Sequence, residues 1–105
     1  MSQDESVSRN GIRIRLTDER WQHIIQEHDE LADLREEVLE AIHQADQILK
    51  GNAGELFAVR MIETAKALVV VYREVDLQDG FVITAFLTRR LKSLVRREQL
   101  WPPQT

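Results

Sequence analysis

The chain has 105 residues, which is enough for one small domain with a single hydrophobic core and too short for two. Hydrophobic residues make up 43% and charged residues 30%, as in ordinary globular domains, and no apolar run approaches the roughly 20 residues of a membrane helix. The absence of cysteine excludes disulfides, thiolate zinc sites and cysteine nucleophiles, and it fits a cytoplasmic protein.

The net charge of −4 is divided unevenly along the chain. Residues 1–55 contain six basic residues and thirteen acids, whereas residues 56–105 contain eight basic residues and five acids. The positive charge is concentrated in "RRLKSLVRR" (89–97), which has five basic residues and no acid. This segment is either a solvated helix face or a surface that faces phosphate. The acidic total argues against indiscriminate binding of nucleic acid, because such binding depends mainly on neutralising phosphates.

The first residues are polar and acidic and lack a basic segment followed by an apolar one. We therefore predict a disordered lead over residues 1–11 rather than a signal peptide. A single domain is expected over residues 12–101, followed by a tail at 102–105. In "IRIRL" (12–16) apolar and basic residues alternate, which predicts a short, half-exposed strand.

Two helices are predicted after this strand. Thr17 offers a capping hydroxyl for a first helix over residues 18–28. Its apolar positions have helical spacing: Trp21, Ile24 and Ile25. His28 falls on the same stripe, whereas His23 points to the opposite side. The apolar residues of "LADLREEVLEAIHQAD" also recur at helical spacing and predict a second helix.

After Gly54 the apolar pattern changes from helical to alternating. The segments 55–63, 67–75 and 80–88 are rich in Val, Ile, Phe and Thr, and the short turns between them allow only antiparallel hairpins. The sequence therefore predicts an α+β fold in which two N-terminal helices pack on one face of a four-stranded antiparallel sheet (meander), with a short C-terminal basic helix.

Alternation assigns the strand side chains to the two faces of this sheet. The last strand places Thr84 and Thr88 on the face away from the helices, and an earlier strand turns Arg60 to the same face. Either Tyr72 or Arg73 shares that face, and the pattern leaves both open. Packing or cross-strand pairing also accounts for each of these residues taken singly.

One reaction would use these residue types without a metal or a cofactor, namely cleavage of RNA by attack of its own 2′-hydroxyl. Histidine transfers protons near neutral pH, while arginine and threonine hold a phosphate as charge develops. His28 is preferred as the acid or base because helix geometry directs it toward the interior, although a structural histidine would have the same position. His23 and His28 point to nearly opposite sides, so no metal site is predicted.

The pattern "WQHIIQEH", "VLEAIHQADQILKG", "VVVYRE" and "FVITAFLT" resembles the phage-associated branch of the barnase, EndoU, colicin and RelE-like nuclease superfamily. The resemblance covers about residues 18–90 and implies the shared fold of two helices followed by a four-stranded antiparallel sheet. It implies functional positions at a helical histidine, a basic strand residue and a threonine before an aromatic residue. These fall on His28 or His23, on Arg60 or Arg73, and on Thr84 before Phe86. Many members carry proline where this chain has Asp29.

The leading hypothesis is a metal-independent endoribonuclease of phage, toxin or toxin–antitoxin character that needs no cofactor. The predicted catalytic residues are His28, Arg60 and Thr84. The secondary candidates are His23, Tyr72, Arg73 and Thr88. The expected partners are RNA and an antitoxin or immunity protein.

The basic segment is expected to bind RNA through five side chains: Arg89, Arg90, Lys92, Arg96 and Arg97. Its apolar residues Leu91, Leu94 and Val95 are expected to pack on the sheet. The alternative hypothesis is a non-catalytic interaction module on the same fold, which binds another protein or a second copy of itself through the sheet face.

Overall fold

The computed structural model describes residues 3–103, and this part of the chain contains seven strands and three helices. The strands are β1 (Gln3–Val7), β2 (Arg13–Thr17), β3 (Gln47–Lys50), β4 (Leu56–Glu63), β5 (Lys66–Glu74), β6 (Gly80–Thr88) and β7 (Gln99–Trp101). The helices are α1 (Asp18–Glu27), α2 (Arg35–His43) and α3 (Leu91–Leu94), and a 3₁₀ turn at Asp29–Leu31 lies between α1 and α2. The longest of these helices has ten residues, and none could cross a bilayer.

All seven strands belong to one mixed sheet with the order β1-β2-β6-β5-β4-β3-β7. The predicted four-stranded antiparallel meander is therefore wrong, although the domain is α+β. The hairpins β4–β5 and β5–β6 exist, but β2 lies beside β6 and runs parallel to it, pairing at Ile14–Gly80 and Arg15–Phe81. Gly80 permits this approach, because a Cβ there would lie 2.8 Å from the side chain of Ile14 in β2 and would also collide with the backbone oxygen of Arg73 in β5.

The predicted disordered lead is wrong for residues 3–7, which form the edge strand β1 and pair with β2. The following turn is fixed by Ser8, which is buried and donates a hydrogen bond of 2.6 Å to the carboxylate of Glu74. The polar composition of residues 3–7 suggested disorder. An edge strand can nevertheless be held by backbone hydrogen bonds while its side chains face water. Residues 1, 2, 104 and 105 of the predicted lead and tail lie outside the described residues.

The first helix begins where the sequence indicates. The hydroxyl of Thr17 accepts a hydrogen bond of 3.1 Å from the backbone N–H of Arg20, and acids occupy the first turn, where the helix dipole favours them. The buried residues of α1 are Trp21 and Ile24. The helix ends at Glu27, and the backbone N–H of the capping residue His28 still donates a hydrogen bond to the backbone oxygen of Ile24.

Two hydrophobic clusters cover opposite faces of the sheet. The larger joins α1 and α2 to what we call the helical face, and its buried members include Trp21, Ile24, Val38, Ile42, Leu68, Val70, Tyr72 and Val82. The smaller covers what we call the open face, and its buried members are Leu49, Val59, Ala67, Val69, Val71 and Leu94. The open face is covered mainly by the single turn of α3, so the side chains of β6 lie near solvent there.

A bulge in β6 determines which residues reach the open face. Val71 of β5 lies opposite Thr84, and Tyr72 lies opposite Val82, so Ile83 is the extra residue between them. Val82 consequently packs in the cluster on the helical face, while Thr84 lies opposite a residue of the cluster on the open face.

Candidate functional site

The three residues predicted to be catalytic do not converge, because Arg60 and Thr84 lie on opposite faces of the sheet. The guanidinium of Arg60 is on the helical face, where its Nη1 donates a hydrogen bond of 3.2 Å to the backbone oxygen of Gln44 at the end of α2. The pairing of Arg60 with Leu68, and of Leu68 with Leu87, places Arg60 two strands away from β6. Strand spacing and rise then separate the Cα atoms of Arg60 and Thr84 by roughly 14 Å. One phosphate cannot contact both side chains.

The error over Arg60 has a physical cause in β4. Both faces of this strand are covered, so Ala58 belongs to one hydrophobic cluster and Val59 to the other. The four consecutive apolar residues at 56–59 remove the alternation on which the assignment of faces depends.

Tyr72 is excluded from the site because it is fully buried on the helical face, opposite Val82. Burial raises the pKa of its hydroxyl above the ordinary value, and the negative charge of Glu74 raises it further. A phenol in this position stays protonated and does not reach a substrate.

Arg73 shares the open face with Thr84, which settles the choice that the sequence left open. Arg73 pairs with Phe81 of β6, and Val71, two residues earlier in β5, pairs with Thr84. Residues two apart in a strand point to the same face. The guanidinium is directed away from β6, however, because its Nη2 donates a hydrogen bond of 2.8 Å to the backbone oxygen of Ala53. Arg73 therefore holds the turn that precedes β4.

His28 reaches the border of the open face. Its side chain is 33% exposed, and its ring centroid lies 6.2 Å from that of Phe86, with a tilt of 39° between the rings. Phe86 packs against the cluster on the open face and follows Thr84 by two residues in β6. The Nδ1 atom of His28 lies 3.8 Å from a carboxylate oxygen of Glu30.

The hydroxyl of Thr84 is available to a ligand. The residue is half-buried opposite Val71, and within residues 3–103 its hydroxyl has no hydrogen-bond partner. Thr88 differs, because its hydroxyl accepts a hydrogen bond of 3.0 Å from the backbone N–H of Arg90. Thr88 therefore fixes the turn that leads from β6 into α3.

Arg20 is a cation at this border that the sequence pattern did not single out. Its Nη1 donates a hydrogen bond of 3.4 Å to the backbone oxygen of Ile83, the residue before Thr84. Arg20 is exposed, and it has no carboxylate partner in the described part of the chain. Helix geometry could have found it, because eight residues turn an α-helix by about 80°, which leaves Arg20 and His28 on one side of α1.

The topology explains why these residues lie along one edge of β6. On its α1 side, β6 pairs with β2 only at Gly80 and Phe81, and α1 lies beside the rest of the strand. We call this border the α1–β6 seam and define it by Arg20, His28, Thr84 and Phe86. His23 is exposed and lines a groove of about 560 Å³ along α1, which it shares with Arg20.

Two of the five basic residues predicted to bind RNA are already engaged. Arg89 forms an ion pair of 3.1 Å with Glu63. Arg97 stacks over the ring of Phe57 at 4.3 Å and donates hydrogen bonds to the backbone oxygen of Lys50 and the side chain of Asn52. Arg97 is therefore part of the framework that holds the basic segment on the sheet.

The other three basic residues are exposed, and their charged groups have no partner within residues 3–103: Arg90, Lys92 and Arg96. Leu91 and Leu94 of α3 pack on the open face. The prediction for Val95 is wrong, because this residue is 70% exposed. The open face is thus bordered by Arg20 and His28 on the side of α1 and by three free cations on the side of α3.

The seam combines a proton-transfer group, a cation and a hydroxyl within one strip of surface. Such a set can hold an anion and exchange protons with it. Among the described residues, no cluster of three or more His, Asp or Glu side chains could hold a metal ion. Comparison of the chain with models of protein families, with curated proteins and with solved structures finds no match.

Proposed function

We propose that the protein is a cytoplasmic, metal-independent endoribonuclease that cleaves RNA at the α1–β6 seam. The observation that carries this proposal is the hydroxyl of Thr84, which has no partner within residues 3–103 and lies beside a strand edge that holds both Arg20 and His28. The resemblance of "WQHIIQEH" and "FVITAFLT" to the barnase, EndoU, colicin and RelE-like nucleases supports the same reaction, since these two segments supply His28, Thr84 and Phe86 of the seam.

In the proposed reaction the 2′-oxygen of a nucleotide attacks the adjacent phosphorus, and the bond from phosphorus to the 5′-oxygen breaks. One histidine accepts the proton of the 2′-hydroxyl and another group returns a proton to the 5′-oxygen that leaves. His28 takes one of these roles because it lies at the seam, and solvent water takes the other, because His23 points to nearly the opposite side of α1. The products are a 2′,3′-cyclic phosphate and a free 5′-hydroxyl.

Arg20 and Thr84 act on the phosphate oxygens. As the 2′-oxygen attacks, negative charge grows on the two oxygens that do not bridge to sugars. The guanidinium of Arg20 then gains a stronger charge-assisted hydrogen bond, and the hydroxyl of Thr84 donates a second one. Such a donor typically contributes about 10²- to 10³-fold in rate.

The three free cations of the basic segment guide the rest of the strand. Arg90, Lys92 and Arg96 lie in or beside α3, which packs on the open face through Leu91 and Leu94, so RNA would cross β6 between the seam and these cations. Because the whole chain is acidic, these local cations rather than the net charge must attract the phosphates.

The test is incubation of the purified protein with RNA in EDTA, followed by analysis of the new ends. The proposal predicts 2′,3′-cyclic phosphate and 5′-hydroxyl ends, and strongly reduced cleavage by Arg20→Gln and by Thr84→Val. The matched control is Arg13→Gln, which removes an exposed arginine that pairs with Glu5 and Asp79 and forms no ion pair with a residue of the seam. Intact RNA at every pH from about 5 to 9, the range in which histidine titrates, would refute the proposal.

A protein-interaction module is the second candidate, and one observation favours it. Large apolar side chains are exposed beside the cluster on the open face, namely Met61 at 42% and Phe81 at 37%. Such residues commonly mark a contact with another protein or a second copy. Sedimentation of the purified protein tests this candidate, since self-association that Phe81→Ser abolishes would support it and a monomer at all concentrations would argue against a homodimer.

A further inference from the structure

Two aromatic side chains of β6 flank Thr84 on the open face. The pairs Phe81–Arg73, Thr84–Val71 and Phe86–Val69 use alternate residues of β5, so all three β6 side chains point to the same side of the sheet. The bulge at Ile83 makes this possible, because simple alternation would turn Phe81 to the other face.

The rings of Phe81 and Phe86 are accessible to a ligand, whereas the ring of Phe57 is not. Phe81 is 37% exposed, and Phe86 is half-buried with its ring near His28. The ring of Phe57 on the same face is instead covered by the guanidinium of Arg97. A planar group that enters the open face can therefore stack on Phe81 and Phe86 but not on Phe57.

The spacing of these rings selects the shape of the ligand. Along the strand direction, Phe81 lies about 7 Å to one side of Thr84 and Phe86 about 7 Å to the other, because their partners in β5 are each two residues from Val71. The two phenylalanines are therefore about 13 Å apart along the strand. Neighbouring bases in a duplex strand are about 3.4 Å apart, so two stacked bases cannot contact both rings. Bases that are splayed apart on either side of one phosphate can do so.

We infer that Phe81 and Phe86 bind the two bases that flank the phosphate at Thr84, so that the substrate is single-stranded RNA with these bases unstacked. The inference rests on the proposed function for the position of the phosphate. It adds a binding site for bases to the seam, which by itself recognises only the RNA backbone. Stacking of bases on aromatic rings tolerates any sequence, so the site selects single strands rather than a base sequence.

Binding of an uncleavable ligand tests the inference separately from catalysis. The probes are a short, fluorescently labelled oligonucleotide of 2′-O-methyl uridines and an abasic oligomer of the same length and charge. The wild-type protein should bind the first roughly 100-fold more tightly than the second, because stacking contributes about tenfold for each of the two bases. Phe81→Leu and Phe86→Leu should each reduce this preference.

Phe57→Leu is the matched control, since its ring is on the same face but covered by Arg97. Phe57→Leu should bind the 2′-O-methyl oligonucleotide more tightly than the abasic oligomer by the same factor as the wild-type protein. Phe81→Leu alone is sufficient for the test if Phe86→Leu does not fold, because Phe81 is exposed.

Three results would overturn the inference: equal binding of both oligomers by the wild-type protein, an unchanged preference in Phe81→Leu, or no binding of either oligomer. The first two can occur in a protein that cleaves RNA, so they refute the base site without refuting the nuclease. Absence of cleavage together with a preference that Phe81→Leu removes would refute the nuclease alone.

Discussion

Arg60 and Thr84 lie on opposite faces of the sheet, with the guanidinium of Arg60 bonded to the end of α2 and Thr84 opposite Val71 on the open face. This relationship removes Arg60 from the candidate site and leaves Arg20 as the cation beside Thr84. It also assigns Arg60 a structural role, because a cation at the C-terminal end of a helix is favoured by the helix dipole.

Arg60→Gln should therefore leave RNA cleavage within about twofold of the wild-type rate. It should lower the free energy of unfolding by no more than about 1 kcal/mol, since the side chain is partly exposed and bonds to a single backbone oxygen. Cleavage rates and denaturant unfolding of the purified variant measure both effects. A loss of cleavage as large as that in Arg20→Gln would return Arg60 to the site.

The local signals in the sequence were reliable where one residue type determines the structure. Thr17 caps α1 because its hydroxyl satisfies a free backbone N–H, and the segment at 80–88 is β6 because its branched and aromatic residues favour a strand. The pairing of β2 with β6 was not predictable in the same way. It depends on contacts between segments more than sixty residues apart, which no local pattern encodes.

The candidate site was predicted in part for the same reason. His28 and Thr84 followed from helical and strand periodicity, and both are at the seam. Arg20 was missed because its relevance comes from the β6 edge that β2 leaves unpaired. The side of Phe81 depends on the bulge at Ile83, which reverses the alternation within β6.

The basic segment should separate into free and engaged side chains when it is mutated. Arg90→Gln and Arg96→Gln should weaken RNA binding, reduce the slope of log affinity against log salt by roughly 0.7 for each lost phosphate contact, and leave stability unchanged. Arg97→Gln should instead lower the free energy of unfolding by about 1 kcal/mol, because it removes the contact with Phe57. Fluorescence anisotropy over a salt series and denaturant unfolding distinguish the two outcomes. Equal effects of all three substitutions on stability would contradict this division.

Tyr72→Phe should stabilise the protein. The phenol is fully buried, and within residues 3–103 its hydroxyl has no hydrogen-bond partner, so its removal relieves a desolvation cost of about 1–3 kcal/mol. Denaturant unfolding at neutral pH measures the change, and RNA cleavage should be unaffected. A less stable Tyr72→Phe would show that the hydroxyl makes a favourable contact.

The same residue predicts a loss of stability in alkali. Burial raises the pKa of Tyr72 in the folded protein, so ionisation of the unfolded chain above its pKa of about 10 contributes a loss of stability that grows as the pH rises. Because the chain has a single tyrosine, Tyr72→Phe removes this contribution completely. The difference in unfolding free energy between variant and wild type should widen above pH 10, and a constant difference would contradict the assignment.

Asp79 should contribute stability that disappears in acid. Both of its oxygens accept hydrogen bonds of 2.8 Å from Arg15, and these bonds, together with the charge of Arg15, lower the pKa of the carboxyl group. The contribution is present above the unfolded pKa of about 3.9 and is lost as the pH falls through the lower folded value. Asp79→Asn should lower the melting temperature at pH 7, and the difference from wild type should shrink below about pH 4.

The control for Asp79 is Asp76→Asn in the same loop, since Asp76 accepts a hydrogen bond only from the backbone N–H of Gln78 among the described residues. Its effect on the melting temperature should be smaller than that of Asp79→Asn at pH 7. An equal effect would show that general charge in the loop, rather than the pair with Arg15, is responsible.

The central claim is that RNA is cleaved at the α1–β6 seam with His28 as a proton-transfer group. Its most direct test is the single-turnover rate of cleavage of a defined single-stranded RNA in EDTA by the wild-type protein and by His28→Gln. The substitution keeps polarity and approximate size at a side chain that is 33% exposed, so the unfolding free energy should change little. We expect the rate to fall by about 10²- to 10⁴-fold, as loss of a general acid or base requires. A His28→Gln protein that is folded and cleaves at the wild-type rate would contradict the account.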